Sequence, residues 1–221
     1  MIPVSELSLG EAASADAVCY AGSQPSIVRH SLARLPSLDS FNFVDLGCGK
    51  GRVLVVASEF PFIDIVGVEL SSAFAAVARS NAEIVSRNFP TRTSIRVIDG
   101  DAASYEMPAG NLVLYLYNPF CEPVVSRVVQ ALEAAITAQR LRRVYVVYYN
   151  PVAGHCFDRS PAFRRHSALR VPYAEEETGF GPDETDFVAI WQDVGQPVPQ
   201  VPCNARIVIE PGGKRVSLVE A

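Results

Sequence analysis

The segment that most constrains the fold is residues 43–52, which read Phe-Val-Asp-Leu-Gly-Cys-Gly-Lys-Gly-Arg. A short apolar run typical of a buried strand leads into three alternating glycines, Gly47, Gly49 and Gly51, and an apolar helical stretch follows. Glycine adopts backbone dihedrals that other residues avoid, and it lets a ligand approach bare backbone. The N-terminus of the following helix presents free N–H groups suited to a carboxylate or a phosphate. The segment therefore predicts a strand, a ligand-binding loop and a helix.

The same alternation of strand-like and helix-like segments continues along the chain. Runs rich in β-branched and aromatic residues predict strands at 43–46, 63–68, 95–98, 112–117 and 144–149. Helical patterns predict helices at 51–59, 72–88 and 124–138. Strands that alternate with helices form a parallel sheet covered on both faces, which explains why the strands read as nearly continuous apolar runs.

The two ends of the chain are less regular. Residues 1–40 predict an N-terminal helical cap, with a helical pattern over 26–38 that Pro36 interrupts. Residues 163–171 and 186–192 predict two strands joined by an acidic loop at 175–184, and the tail predicts a hairpin over 206–219. We therefore expect one α/β domain over 41–221, a Rossmann-like, doubly wound, mainly parallel seven-stranded sheet, with the cap before it and the hairpin at its C-terminal end.

Composition narrows the class of protein further. The chain has 221 residues, of which 49% are hydrophobic, and this content excludes a disordered chain. The net charge of −5 argues against a general nucleic-acid binder, which needs clustered Lys and Arg. Five scattered cysteines without a C-x-x-C pair and three histidines predict no metal site. Since neither a signal peptide nor an apolar run of about 18 residues is apparent, we expect a cytoplasmic protein.

Three kinds of ligand use such a glycine loop. A phosphate-binding P-loop needs Ser or Thr where Gly51 stands. A dinucleotide loop needs a third glycine where Arg52 stands. The remaining pattern, with an acid at Asp45 and glycines at 47, 49 and 51, resembles the first motif of class I S-adenosylmethionine-dependent methyltransferases.

Two acidic residues strengthen this resemblance, which covers about residues 41–150. Glu69 ends the second predicted strand, where a carboxylate can accept hydrogen bonds from both ribose hydroxyls. Asp101 follows the third strand, and in the resembled family an acid there faces the adenine amino group. The resemblance thus implies S-adenosylmethionine as cofactor. The positions that it assigns to cofactor binding are Asp45, Gly47, Cys48, Gly49, Gly51, Glu69, Asp101, Ala102 and Asn118.

Two successive strands end in the same three residues, Tyr-Asn-Pro, at 117–119 and 149–151. Ligands bind beyond the carboxyl ends of parallel strands, so both ends are expected at the mouth of the site. Asn118-Pro119-Phe120 resembles a shortened Asn-Pro-Pro-Tyr/Phe motif of amino-group methyltransferases, although the second proline is absent. The resemblance implies that Asn118 accepts a hydrogen from the target amine and that Phe120 packs against a planar substrate. The candidate catalytic residues are Tyr117, Asn118, Pro119 and Phe120, and the candidate substrate-binding residues are Tyr149 and Asn150.

These features together predict an S-adenosylmethionine-dependent methyltransferase. The expected acceptor is an amine of a protein side chain or of a small molecule, with nucleic acid and membrane unlikely as partners. O-methylation of a small molecule is the first alternative. An NAD-dependent oxidoreductase and a non-catalytic nucleoside-binding scaffold are the others, and Arg52 is the residue that speaks against the oxidoreductase.

Overall fold

The computed structural model describes residues 22–117, 120–178, 185–197, 206–209 and 216–219. Asn118 and Pro119, the acidic loop beyond residue 178 and residues 1–21 of the expected cap lie outside these ranges. The strands are β1 (Phe41–Leu46), β2 (Asp64–Glu69), β3 (Ile95–Asp99), β4 (Gly110–Tyr117), β5 (Leu141–Tyr149), β6 (Phe163–Pro172), β7 (Thr185–Asp193), β8 (Arg206–Ile209) and β9 (Val216–Val219). The α-helices are α1 (Pro25–Leu32), α2 (Arg52–Ala57), α3 (Ser72–Asn88), α4 (Glu122–Thr137) and α5 (His155–Asp158), with short 3-10 turns at Ala102–Ser104 and Glu175–Glu177.

The first seven strands form one sheet in the order β3-β2-β1-β4-β5-β7-β6. Strands β1 to β5 pair in parallel, whereas β7 runs antiparallel to both β5 and β6. This arrangement confirms the predicted Rossmann-like, mainly parallel, seven-stranded sheet. It places the ends of β1, β2, β4 and β5 along one edge, with the start of β7 beside the end of β5. Strands β8 and β9 pair as the predicted C-terminal hairpin.

Alternate residues of each strand pack into two separate apolar clusters, one on each face of the sheet. In β4, Leu112, Leu114 and Leu116 pack on the face that also buries apolar residues of α4. Val113 and Tyr115 pack on the opposite face, together with apolar residues of α1 and α2. Both faces are therefore covered, as the apolar strand sequences predict.

The helix near the N-terminus is shorter than the sequence pattern predicts. Helix α1 ends at Leu32, whereas the predicted helical run continues to Pro36, and Leu35 and Leu38 are buried in the segment that follows the helix. Pro36 disfavours the helical conformation of the residue before it, which gives a physical reason for the early end. The helix packs Ile27, Val28 and Leu32 into the cluster that includes α2.

None of the helices within the described ranges has the length and apolar character that crossing a membrane requires.

Candidate functional site

The three alternating glycines form a strained turn between β1 and α2. Gly47, Gly49 and Gly51 have φ angles of 79°, 55° and 80°, all in the left-handed region. Residues with a side chain avoid this region, so the sequence needs glycine at each of these positions. The first turn of α2 begins at Arg52, directly after Gly51.

The loop is tied to the end of β2 through its backbone N–H groups. Gly47 and Cys48 donate to the carbonyl oxygen of Val68 at 2.8 and 3.1 Å. Gly49 donates to Oε2 of Glu69 at 2.7 Å. The loop conformation is therefore fixed by the same acid that the sequence analysis assigns to ribose.

Glu69 holds a central position in this edge of the sheet. Its Oε1 accepts from the backbone N–H of Ser71 at 2.9 Å, so each carboxylate oxygen has one backbone donor. Burial raises the pKa of Glu69, and the backbone hydrogen bonds partly oppose that rise. Because a carboxylate oxygen accepts two hydrogen bonds, each oxygen retains capacity for one more donor, such as a ribose hydroxyl.

Asp45 is buried beneath the loop with an unsatisfied oxygen. The residue is 2% exposed, and its Oδ2 has no hydrogen-bond partner among the described residues. Burial and the nearby charge of Glu69 raise the pKa of Asp45 well above its ordinary value. An ionised carboxylate without a partner is costly in the interior, so this position fits a positively charged ligand group.

A small cavity of about 30 Å³ lies against Asp45 and the loop. Its walls include Ser23, Gly47, Arg52 and Tyr117. Binding of the methyl donor by Asp45, the loop and Glu69 stays a prediction. The arrangement brings together the first-strand acid, the glycine loop, the second-strand acid and the end of β4.

Arg52 has a structural position that the sequence analysis did not identify. Its Nη1 donates to the carbonyl oxygens of Gly22 and Ser23 at 3.5 and 3.4 Å. Tyr115 donates to Oγ of the same serine at 3.1 Å. These contacts hold the chain that precedes α1 against the cavity.

Cys48 packs inward from the loop, and burial raises the pKa of its thiol. A Cβ atom at Gly67 of β2 would come within 2.6 Å of the Cys48 Sγ and 2.5 Å of the Leu54 Cδ1. Gly67 therefore permits the loop and α2 to approach the sheet. A glycine inside a predicted strand is the signal that could have shown this close approach.

Asp101 lies at the end of β3 in a turn. Its Oδ1 accepts from the backbone N–H of Ala103 at 2.9 Å, which caps the 3-10 turn, and the residue is exposed. Ala102 is buried in the cluster that includes α4. The geometry gives Asp101 a local structural role, and contact of Asp101 and Ala102 with the adenine stays a prediction.

Tyr117 and Tyr149 lie side by side at the ends of β4 and β5. The two residues pair in register, and their rings stack at a centroid distance of 4.0 Å and an angle of 12°. Tyr149 is 1% exposed and donates to Oδ2 of Asp186 at 2.7 Å. Tyr173 donates to the same oxygen at 3.0 Å. We call Tyr149, Tyr173 and Asp186 the tyrosine–aspartate cluster.

The sequence analysis missed Asp186 and Tyr173. Asp186 lies on β7 and Tyr173 directly follows β6, and the antiparallel pairing of β7 with β5 brings Asp186 beside Tyr149. Burial raises the pKa of Tyr149, and Tyr117 and Asp186 add to the rise. Burial and Asp186 raise the pKa of Tyr173 to about 12.

The second Tyr-Asn-Pro segment forms a tight turn. Asn150 has a φ of 50°, its N–H donates to Phe187 O at 2.8 Å, and its carbonyl accepts from Val152 at 2.8 Å. Asparagine tolerates the left-handed region better than most residues with a side chain, so Asn150 suits this turn. Phe120 packs partly buried against the cluster that includes α4. The substrate contacts expected of Phe120, Tyr149 and Asn150 stay predictions.

A separate group of metal-ligating residue types lies at the starts of α4 and α5. The donor atoms of Glu122, His155 and Cys156 lie within 4.8 Å of one another. His155 Nε2 and Glu122 Oε1 form a 2.8 Å pair, which lowers the pKa of Glu122, and Arg159 Nη1 lies 4.0 Å from the same oxygen. His155 thus has a partner on the neighbouring helix.

A comparison with known protein families finds one matching family model. Residues 44–136, about two fifths of the chain, match the family model described as a methyltransferase domain. This segment contains the glycine loop, Glu69 and the end of β4. The matched segment supports an S-adenosylmethionine-dependent methyltransferase, with S-adenosylmethionine as the cofactor. A search of curated proteins finds no match.

Solved structures share the fold at low sequence identity. A putative methyltransferase, yhhF, from Escherichia coli is 15% identical, with a TM-score of 0.51 over 77% of this chain and 87% of that chain. A putative methyltransferase from Pseudomonas syringae is 14% identical, with a TM-score of 0.51 over 75% and 95%. The 23S rRNA methyltransferase ErmE is 13% identical, with a TM-score of 0.52 over 83% and 72%. These likenesses show the fold alone.

Proposed function

We propose that this methyltransferase transfers the methyl group of S-adenosylmethionine to an amine nitrogen of a protein side chain or a small molecule. The observation that carries the proposal is the position of Tyr117. This last residue of β4 lines the same cavity as Asp45. Asn118-Pro119-Phe120, the segment similar to the amine-binding motif, follows it directly.

The donor is bound by the edge of the sheet formed by β1 and β2. Asp45 attracts the positively charged methionine end, and the glycine loop leaves room for the donor against bare backbone. Glu69 accepts hydrogen bonds from the ribose hydroxyls with the lone pairs that its backbone donors leave, and Asp101 and Ala102 border the adenine. The donor supplies an activated methyl group, so the protein has to position the acceptor and exclude water.

The acceptor is bound at the ends of β4 and β5. Asn118 accepts a hydrogen from the amine, which directs the nitrogen lone pair towards the methyl group. Phe120 packs against the acceptor, and Tyr149 and Asn150 border the outer part of its pocket. The cavity walls that the structure describes include no histidine. Amine methylation is the reaction that depends least on a strong base there, which favours it over O-methylation.

The chemical class of the acceptor is the least constrained part of the proposal. The fold is compatible with nucleic-acid acceptors, because the 23S rRNA methyltransferase shares it. The net charge of −5 argues against a polyanion as the acceptor. The test therefore has to compare amines, hydroxyl compounds and RNA.

The deciding experiment supplies methyl-labelled S-adenosylmethionine to the purified chain with separate small-molecule, protein and RNA fractions of a cell extract. We expect label on nitrogen in the protein or small-molecule fraction. Asn118→Ala is expected to lower turnover by about 100-fold, since acceptor positioning contributes on that order, with donor affinity changed far less. Asn150→Ala is the matched control, because the same residue type follows the same Tyr in the neighbouring strand, and we expect it to act mainly on acceptor affinity.

The result would contradict the proposal if label appeared on oxygen or in RNA, or if the two asparagine variants lost turnover equally. Mass spectrometry of the labelled product distinguishes nitrogen from oxygen. Donor affinity, measured by calorimetry with S-adenosylhomocysteine, separates an acceptor defect from a donor defect.

A further inference from the structure

Three side chains of metal-ligating type meet where α4 and α5 begin. Glu122 is the first residue of α4, and His155 and Cys156 are the first two residues of α5. A carboxylate oxygen, an imidazole nitrogen and the thiol sulfur lie within 4.8 Å of one another. The rest of α4 and the whole of β5 separate the carboxylate from the other two along the chain, so no local motif in the sequence reveals the group.

The existing contacts of these side chains leave the group able to take up an ion. His155 Nε2 lies 2.8 Å from Glu122 Oε1, so the imidazole nitrogen already faces the carboxylate. These two side chains are 31% and 54% exposed, and both can turn without breaking a buried contact. The competing cation is Arg159, whose Nη1 is 4.0 Å from the same oxygen and whose side chain is 77% exposed. An exposed ion pair of this length contributes little, so a metal ion can displace it.

The mixture of donor atoms indicates which ion would bind. Zn²⁺ takes thiolate, imidazole and carboxylate ligands at about 2.3, 2.0 and 2.1 Å. Mg²⁺ and Ca²⁺ prefer oxygen ligands, so a thiol and an imidazole do not suit them. Ligand atoms around a tetrahedral zinc ion are about 3.5 Å apart. A group already within 4.8 Å therefore closes on the ion by small side-chain rotations.

The surroundings of the group suit a metal ligand set. Ser126 Oγ, one turn along α4 from the carboxylate, lies 3.5 Å from Cys156 Sγ. A hydroxyl there can donate to a thiolate, and outer partners of this kind orient metal ligands. His155 also lines a cavity of about 330 Å³ with Pro151 and Val152. This cavity has room for a water molecule or another small ligand beside the ion.

We propose that Glu122, His155 and Cys156 bind one Zn²⁺ ion, with a water molecule or another small ligand in the fourth position. On binding, the thiol releases its proton to solvent and the imidazole coordinates through Nε2. The ion links the start of α4, four positions after Asn118, to the start of α5, five positions after Asn150. It therefore holds together the two helices that follow β4 and β5. The metal site does not depend on the proposed amine acceptor, and its test uses no methyl-transfer assay.

The test measures Zn²⁺ binding to the full chain, without an affinity tag, in competition with a chromophoric chelator at pH 7. We expect one equivalent to bind with a dissociation constant of about 1 µM or lower, as three protein ligands that include a thiolate allow. His155→Ala and Cys156→Ser should each weaken binding by about 100-fold or more, since the loss of an outer partner alone lowers affinity by about 10- to 100-fold. Ser126→Ala removes such a partner and should weaken binding by about 10-fold.

Two substitutions outside the group are the matched controls. His30→Ala removes an exposed histidine of α1, and Cys121→Ser removes a thiol that precedes Glu122 and is not one of the three donors. Both chains should keep the wild-type affinity for Zn²⁺. Thermal melting shows whether each variant folds, and Zn²⁺ should raise the melting temperature of the wild-type and control chains more than that of His155→Ala or Cys156→Ser.

Cobalt substitution identifies the thiolate ligand directly. Co²⁺ bound in place of Zn²⁺ should give the visible spectrum of a tetrahedral ion with a thiolate charge-transfer band, and Cys156→Ser should lose this band while Cys121→Ser keeps it. The inference is overturned if wild type binds no equivalent of Zn²⁺, if folded His155→Ala and Cys156→Ser bind it as tightly as wild type, or if the cobalt complex lacks the thiolate band. The contact between Glu122 and His155 would then be an ion pair only.

Discussion

Two strand ends carry the same three residues and have different surroundings. At the end of β4, Tyr117 lines a cavity beside Asp45, whose Oδ2 has no hydrogen-bond partner. At the end of β5, Tyr149 donates to Asp186, whose Oδ2 accepts a second phenol from Tyr173. Each end thus has a tyrosine near an aspartate, and within the described residues Asp186 has partners for both carboxylate oxygens whereas Oδ2 of Asp45 has none.

The difference separates a ligand site from a structural support. A buried polar group that lacks a partner reduces stability by about 1–3 kcal/mol, so such a group is retained where a ligand can satisfy it. A fully bonded carboxylate instead fixes the elements that it joins. We assign the first role to Asp45 and the second to Asp186.

The largest expected effect is a loss of donor-site binding caused by a substitution in the glycine loop. Gly49 has a φ of 55°, and its N–H donates to Glu69. Gly49→Val should weaken S-adenosylhomocysteine binding by about 100-fold or more, because a β-branched side chain resists this conformation and occupies the ligand's space. Calorimetry measures the loss, and circular dichroism shows whether the fold remains.

Gly100→Ala is the control for this variant, since a Cβ atom there would meet only Ile98 Cγ2 at 3.9 Å. Normal binding by folded Gly49→Val would show that the loop does not hold the donor. An unfolded variant would show that the glycine is structural first.

The second effect concerns Glu69, which we expect to accept the ribose hydroxyls. Glu69→Ala should weaken S-adenosylhomocysteine binding by about 10- to 100-fold, because hydrogen bonds to a charged group contribute roughly 1.5–3 kcal/mol and water regains part of this. Glu69→Gln keeps an acceptor oxygen and should lose less. Unchanged affinity in the alanine variant, measured by calorimetry, would remove Glu69 from the donor site.

The third effect tests whether the buried carboxyl of Asp45 lowers the stability of the ligand-free chain. Its raised pKa means that the folded chain holds this proton more tightly than the unfolded chain. The contribution to stability is therefore greatest below the unfolded pKa of about 4, and it is lost as pH rises through the folded value. Asp45→Asn should raise the free energy of unfolding of the ligand-free chain at pH 7 by about 1–3 kcal/mol, while donor binding weakens.

Urea unfolding at several pH values measures this effect. The wild-type chain should lose stability relative to Asp45→Asn as the pH increases from 4 to 7. A wild-type chain more stable than the variant at pH 7 would mean that Asp45 is satisfied within the protein, and the contrast with Asp186 would disappear.

The smallest expected effect is a loss of stability from a substitution in the tyrosine–aspartate cluster. Tyr149→Phe removes one of the two phenols that donate to Asp186, and we expect the free energy of unfolding to fall by about 1.5 kcal/mol. Tyr145→Phe on the same strand should cost about 0.5 kcal/mol or less. Equal costs in urea unfolding would indicate that the bond to Asp186 contributes little to the support.

The local pattern of the chain was sufficient to predict most of the fold. The predicted strands match β1 to β7 within a few residues, because apolar β-branched runs between helical segments have few other solutions in a globular domain. The three glycines were predicted to need unusual dihedrals, and all three have positive φ. The end of α1 at Leu32 was missed, since buried Leu35 continues the helical spacing of Ile27 and Leu32 although it lies beyond the helix.

The candidate site also has one part that the sequence predicted and one part that it did not. Asp45, the glycine loop and Glu69 were predicted together, because they lie at the ends of adjacent parallel strands and are specified by short local motifs. Asp186 and Tyr173 could not be predicted, since β7 returns antiparallel from distant sequence and no local pattern encodes its partner. Gly67 carried a signal, a glycine within a strand, whose meaning depends on the position of Cys48.

The sequence by itself determined the class of fold, the donor loop and its acid, because these depend on backbone propensity and spacing within single strand–helix units. Only the tertiary structure shows that Tyr117 and Tyr149, the last residues of β4 and β5, have different surroundings. Tyr117 lines a cavity with residues of β1 and of the segment before α1, whereas Tyr149 donates to Asp186 of β7, which also accepts from Tyr173 after β6. Burial and hydrogen-bond satisfaction are properties of those surroundings, and three shared residues cannot specify them.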